Sequence, residues 1–411
     1  MDVNVNLEGL PLGEERINGR KPDAAAALDR LWSGQVPMTG WVKAPMETDQ
    51  EALNYLLDVA DIIKAEAELL VVLGIGGSYM GAKAAIEALP KQAGGIEVRF
   101  LGINFCTDYY REVLEEIKRK NTIVCVISKS GNTMEVRTAL EVVRPIMEEK
   151  YGGREAASRR IIAITDPVSG TLREEANERD YVTFEVPGDI GGRYSMMTPA
   201  GLLPMAVSGI DVRELLRGAE VMATSPAWDS YGTEYAIARY LMHTEEGKAI
   251  ESIAFSHSRM GYFGEWLKQL FGESEGKEGK GLWPATLQFS TDLHSMGQFL
   301  QQGSPVFFET MVIIDEYEDE IIVPAGPVAG MSLEELNDAM MDGVIKAHRD
   351  GGVPVIEIHI PMLTPFYFGQ LVYFMETSCA VTAMLMGVDP FNQPGVEDYK
   401  REMRRNCGME D

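Results

Sequence analysis

The chain has 411 residues, 45% of them hydrophobic, with 63 acidic against 37 basic side chains and a formal net charge of −26. That length exceeds one core and implies two domains, and the acidic balance excludes nucleic acid and anionic membrane surfaces as partners. Cys106, Cys125, Cys379 and Cys407 are scattered without CxxC spacing, which argues against a zinc site or a disulfide framework. The absence of a basic-then-apolar leader and of a bilayer-length apolar run reads as a soluble, cytoplasmic protein.

Residues 1–47 are polar and weakly periodic, punctuated by Pro11, Pro22, Pro37 and Pro45, and read as a segment wrapping the body. From Thr48 a helical pattern (Leu53, Leu56, Leu57, Val59, Ala60, Ile63) leads into the uncharged strand Leu69–Leu73. The strand runs into Gly74-Ile75-Gly76-Gly77-Ser78 and then a helix, a turn whose N–H groups and hydroxyl suit an anion. Neither a dinucleotide fingerprint nor a Walker loop fits, because Tyr79 and Ala82 stand where glycine and lysine are required.

Strand and helix then alternate: strand Glu97–Leu101, helix 109–118, strand Thr122–Ile127, helix 135–147, strand 160–165. This is the pattern of a doubly wound parallel sheet with ligands at the carboxyl ends of its strands. The third strand ends in Ser128-Lys129-Ser130-Gly131-Asn132-Thr133, dense in hydroxyls with one cation, and the two loops together read as one phosphate pocket. After a strand at 183–186 comes Gly188-Asp189-Ile190-Gly191-Gly192-Arg193-Tyr194-Ser195, where an arginine sits on a restricted backbone suited to presenting charge to a ligand. Segments 199–207 and 212–224 and a helix at 234–243 connect to the second half.

There, strands 249–255, 309–314 and 354–359 alternate with helices near 260–271 and 333–348. Gln269-Leu270-Phe271-Gly272-Glu273-Ser274-Glu275-Gly276-Lys277 offers a carboxylate for acid–base work at a helix end. Ser290-Thr291-Asp292-Leu293-His294-Ser295 carries one of only five histidines, a group that titrates near neutrality. The apolar segment 366–386 contains Gln370 and Glu376 and reads as a core or interface helix, followed by Phe391-Asn392-Gln393-Pro394-Gly395-Val396-Glu397-Asp398-Tyr399-Lys400. His243, His257, His294, His348 and His359 form no ligand spacing for a metal.

The motifs at residues 74–78, 189–195, 272–277, 292–295 and 391–400, in this order within a match from about Asn54 to Lys400, resemble those of the phosphoglucose isomerase family. The resemblance implies an α/β fold of two SIS-type αβα sandwich domains with parallel sheets plus a C-terminal helical segment. On this chain that gives a wrapping segment at 1–47, a first SIS domain at 48–210, connector helices and a second at 211–365, and a helical segment at 366–411 completing the active site. It implies reversible interconversion of glucose 6-phosphate and fructose 6-phosphate through ring opening and a cis-enediol, in a homodimer with no metal or organic cofactor. Glu273 would be the base, and Arg193 would stabilise the intermediate's charge. His294, from the partner subunit, and Lys400 would serve ring opening. Ser78, Ser128, Ser130 and Thr133, with Lys129 in the same loop, would hold the phosphate, and Gly77, Gln269 and Gln393 would complete the substrate site. A non-catalytic phosphosugar-binding protein and an isomerase with added mannose 6-phosphate activity stand as alternatives.

Overall fold

The computed structural model describes residues 3–91 and 93–409, with backbone alone for 226–231. The chain divides into two compact units: Met38–Ala223 with Leu363–Gln370, and the residues up to Pro37 with Thr224–Met362 and those from Leu371 onward. Among the described residues the strands are β1 (Asn4–Asn6), β2 (Leu69–Leu73), β3 (Glu97–Leu101), β4 (Thr122–Ile127), β5 (Ile161–Thr165), β6 (Val182–Glu185), β7 (Ile250–Phe255), β8 (Trp283–Gln288), β9 (Phe307–Glu316) and β10 (Val355–Met362).

The Met38–Ala223 unit is built on a parallel sheet of order β3-β2-β4-β5-β6. Every residue of β2, β4 and β5 is buried, as expected of strands covered on both faces. Side chains alternate across a strand, so Leu69, Val71 and Leu73 share a face with Val124 and Val126. That face is sealed by Val113 and Ile117 of helix Thr107–Arg119 and by Val136, Leu140 and Val143 of helix Met134–Tyr151. Helices Gln50–Glu66 and Met80–Ala88 pack on helix Pro199–Val207. The chain passes from β2 outward to β3 and then returns to β4 on the other side. The carboxyl ends of β2 and β4 therefore flank a topological switch point, the usual ligand crevice of such sheets.

The other unit carries a sheet of order β1-β10-β9-β7-β8, parallel except for β1, which pairs antiparallel with β10 (Val5 opposite Ile358). Its core sets Ala254, Met311 and Val355 against Met341 and Ile345 of helix Leu333–Asp350.

Among the elements absent from the sequence reading, two contain a proline. Helix Glu14–Trp32 contains Pro22 in its interior, where the missing N–H leaves one carbonyl without its helical partner. The helix persists because Ala24, Ala27, Leu28 and Leu31 are buried as it packs on helix Pro226–Thr244. Strand β8 contains Pro284, which is tolerated because β8 is an edge strand. Among the described residues, no helix is long and apolar enough to cross a membrane.

Candidate active site

In the Met38–Ala223 unit, three loops meet that the sequence marks separately. The 3-10 turn Gly76–Ser78 after β2 lies against the 3-10 turn Gly192–Tyr194. The approach is so close that a Cβ on Gly77 would sit 1.9 Å from the Gly192 carbonyl oxygen, so only glycine fits there. Ser195 Oγ donates to the Gly192 carbonyl at 2.7 Å and to that of Gly77 at 3.4 Å. Arg193, in the second of these turns, is buried at 3% exposure and not spread into solvent.

The loop after β4 is pinned in the same way. Ser128 Oγ accepts from the Gly131 N–H at 3.1 Å and Ser130 Oγ from the Asn132 N–H at 3.2 Å. Asn132 Oδ1 accepts from the Thr171 hydroxyl at 2.9 Å. Gly131 has φ +77°, and a Cβ there would meet the Leu172 nitrogen at 2.2 Å, a second site where both conformation and space require glycine. Thr133 is the N-cap of helix Met134–Tyr151, and its hydroxyl makes no capping bond. The N–H groups at the start of an 18-residue helix carry partial positive charge, the standard setting for a phosphate. Lys129 Nζ donates to the Gly188 carbonyl at 2.8 Å, which ties this loop to the one leading into Arg193.

A contribution the sequence did not signal comes from residues 39–41. Thr39 forms an antiparallel bridge with Ile190, the Gly40 N–H donates to the Asp189 carbonyl at 3.2 Å, and Trp41 stacks on Tyr194 at 4.8 Å. This short stretch braces the arginine turn from behind. The available clue was the isolated Trp41 beside a glycine in an otherwise polar segment, a pattern too common to read alone.

In the other unit, helix Gly261–Glu275 runs back from the carboxyl end of β7. Its last turn lies at the amino end of that strand, where Glu275 shares Arg239 with Glu251 of β7. Glu273, in this turn, is half-buried, and Gln269 one turn earlier donates to its Oε1 at 3.4 Å. Lys277 Nζ bonds the Asp389 carbonyl, and Asn392 Nδ2 donates to Asp389 Oδ2 at 2.9 Å, so the segment carrying Gln393 is tethered near Glu273. Lys400 is half-buried on helix Val396–Asn406 and pairs with Glu397 at 2.9 Å.

His294 stands apart from this group. It is exposed on the loop after β8, at the carboxyl end of the sheet, where the Phe289 N–H donates to the Phe255 carbonyl at 3.1 Å. The strand between Glu251 and Phe255 alone separates the two ends by about 13 Å, at about 3.3 Å per residue. Glu273 and His294 of one chain are therefore not brought together. The loops after β2 and β4 lie at the carboxyl ends of their strands, whereas Glu273 sits on the return helix at the amino end of the other sheet. Among the described residues, no group of three or more His, Cys, Asp or Glu side chains is placed to hold a metal ion.

A profile described as Phosphoglucose isomerase matches residues 59–308. The glucose-6-phosphate isomerase of Caldanaerobacter subterraneus subsp. tengcongensis is 43% identical over 385 residues, covering 89% of this chain and 85% of the relative. The chain belongs to the phosphoglucose isomerase family. Among solved structures, a hypothetical protein from Thermus thermophilus matches with TM-score 0.90 at 25% identity, covering 98% of this chain and 99% of that one. A glucose-6-phosphate isomerase from Chlamydia trachomatis matches in fold with TM-score 0.86 at 20% identity, covering 99% and 88%. The parallel sheets and covering helices described above are the αβα sandwiches of the SIS fold, as phosphoglucose isomerase motifs in the sequence imply.

Proposed function

We propose that the chain is a glucose-6-phosphate isomerase, an aldose–ketose isomerase that interconverts glucose 6-phosphate and fructose 6-phosphate in glycolysis and gluconeogenesis. The observation that carries this reading is the half-buried Glu273 held at a helix end by Gln269 in a chain of this family. A carboxylate so held can take the C2 proton of the open sugar and return it to C1. Ser78, Ser128, Lys129, Ser130 and Thr133 bind the phosphate at the two loop ends, with Gly77 setting their approach. Arg193, buried and fixed, offsets the charge that develops on the enediolate, where a preorganised cation is most effective. Gln269 and Gln393 position the sugar, and Lys400 with His294 moves protons at the ring oxygen.

The working form in this proposal is a homodimer in which His294 reaches in from the partner subunit. Its support is the placement of Glu273 and His294 at opposite ends of one sheet: a site needing both must draw them from two chains. The location proposed is the cytoplasm, because a charged sugar phosphate does not cross a bilayer unaided. The reaction needs no group beyond these side chains.

The test is NMR of fructose 6-phosphate with the purified protein in D2O. Glucose 6-phosphate carrying deuterium at C2 is expected, and Glu273→Gln should lower kcat by orders of magnitude with KM nearly unchanged, because the base acts in the transition state. A folded protein giving neither product nor exchange would return the reading to a phosphosugar-binding protein.

A further inference from the structure

The last turn of helix Gly261–Glu275 carries two carboxylates, and successive residues of a helix point about 100° apart. Glu273 and Glu275 thus project from nearly opposite sides of the turn, Glu273 half-buried and Glu275 fully buried. Two negative charges at a helix C-terminus oppose the partial negative charge of its free carbonyls. Burial pushes the Glu275 carboxyl up, and Arg239 acts against that rise.

Arg239, on helix Pro226–Thr244, has no exposed side-chain area. Its guanidinium grips Glu275 with both terminal nitrogens, one of them at 3.1 Å from Oε2, while Nε donates to Glu251 Oε2 at 2.7 Å. The other oxygen of Glu251 accepts from the Tyr235 and Thr310 hydroxyls at 2.7 and 2.6 Å. The guanidinium also lies 4.0 Å over the Phe271 ring, one helical turn before Glu275. Both carboxylates are satisfied, and the fork fixes the end of the helix in distance and in rotation against β7 and β9. A fold that needed only burial here would be served as well by apolar residues; what the charged fork adds is orientation of the turn that holds Glu273.

We propose that Arg239, with Glu251 and Glu275, is the positioning device for Glu273, setting the orientation in which that carboxylate meets the C2 proton. The proposal rests on the reading of Glu273 as the base. Its test is Glu275→Gln, which keeps size and burial but removes the second arm of the fork. The expected result is a 10- to 100-fold loss of kcat with KM for fructose 6-phosphate within about twofold of the original and circular dichroism unchanged. In a Glu273→Gln background the same substitution should leave the residual rate unchanged within about twofold, because the device then has nothing to orient.

Unchanged kcat in folded Glu275→Gln would overturn the proposal, as would an equal loss in the Glu273→Gln background. Full activity of Glu273→Gln alone would instead refute the base itself. Should Glu275→Gln not fold, the set Arg239→Met, Glu251→Gln and Glu275→Met is read by the same measurements, since removing the whole fork leaves no buried carboxylate without its counter-charge.

Discussion

Gly77→Ala tests whether the arginine turn is held by backbone contact. The added Cβ would lie 1.9 Å from the Gly192 carbonyl oxygen, 2.1 Å from its carbon and 2.7 Å from the Arg193 nitrogen, whereas an ordinary contact begins at 3.4 Å. All three are backbone atoms, so no rotamer change relieves the overlap, and the two turns must part by about 1.5 Å, at an overpacking cost of about 1–3 kcal/mol. A displacement on the order of 1 Å at a catalytic group costs on the order of 100-fold. Gly77→Ala should therefore lose about two orders of magnitude in kcat/KM, in a protein whose melting point falls but which remains folded. Gly191→Ala is the control, since a Cβ there meets nothing within 4 Å and its φ of −77° suits alanine. The assay is coupled reduction of a nicotinamide by a dehydrogenase acting on glucose 6-phosphate, with melting followed by circular dichroism. If Gly77→Ala kept kcat/KM within twofold of Gly191→Ala, the argument that this contact fixes Arg193 would be wrong.

Mixing the inactive variants Glu273→Gln and His294→Ala, with subunit exchange, should restore about a quarter of the native activity, since half of the dimers are mixed and each has one intact site. No recovery after verified exchange would place both residues in a site made by one chain. His359 faces Glu357 and Asp315, the latter at 2.7 Å, and these two carboxylates raise its pKa to about 9. A raised imidazole stabilises the fold fully below its unfolded pKa near 6.5 and loses that contribution as pH rises through about 9. His359→Gln should accordingly cost roughly 2 kcal/mol at pH 6, after allowance for partial exposure, and little at pH 9.5, read from urea midpoints. Both carboxyl oxygens of Glu376 are buried without a hydrogen-bond partner among the described residues, and burial pushes this group well above the usual carboxylate range. Because its folded form holds the proton more tightly, stability falls as pH rises above the unfolded value. Glu376→Gln should gain on the native protein by up to about 1.4 kcal/mol per pH unit above that point, and parallel urea curves from pH 5 to 8 would contradict this.

Local elements whose signals are short in range are legible in the amino-acid order. The five buried residues of β2, the six of β4 and the helix Val212–Thr224 follow from composition and periodicity. The glycine-rich and hydroxyl-rich turns after β2 and β4 announce themselves because few other residues permit those backbones. The family motifs also named the residues assigned here to the reaction, from Arg193 to Lys400. What tertiary structure alone decided is which of these lie together. Gly77 reads as a ligand-approach glycine, and its closest neighbour is Gly192, 115 positions along the chain. Glu275 reads as one of two carboxylates at a helix end with nothing local to mark it as buried, yet it is buried because Arg239, far off in sequence, supplies its counter-charge. Helix Glu14–Trp32 forms despite Pro22 because its buried stripe finds a partner helix. Glu273 and His294 look like near neighbours in the chain, but one strand and its return helix carry them to opposite ends of a sheet. Propensity and periodicity act over a few residues, whereas burial and charge pairing depend on what the rest of the fold brings alongside.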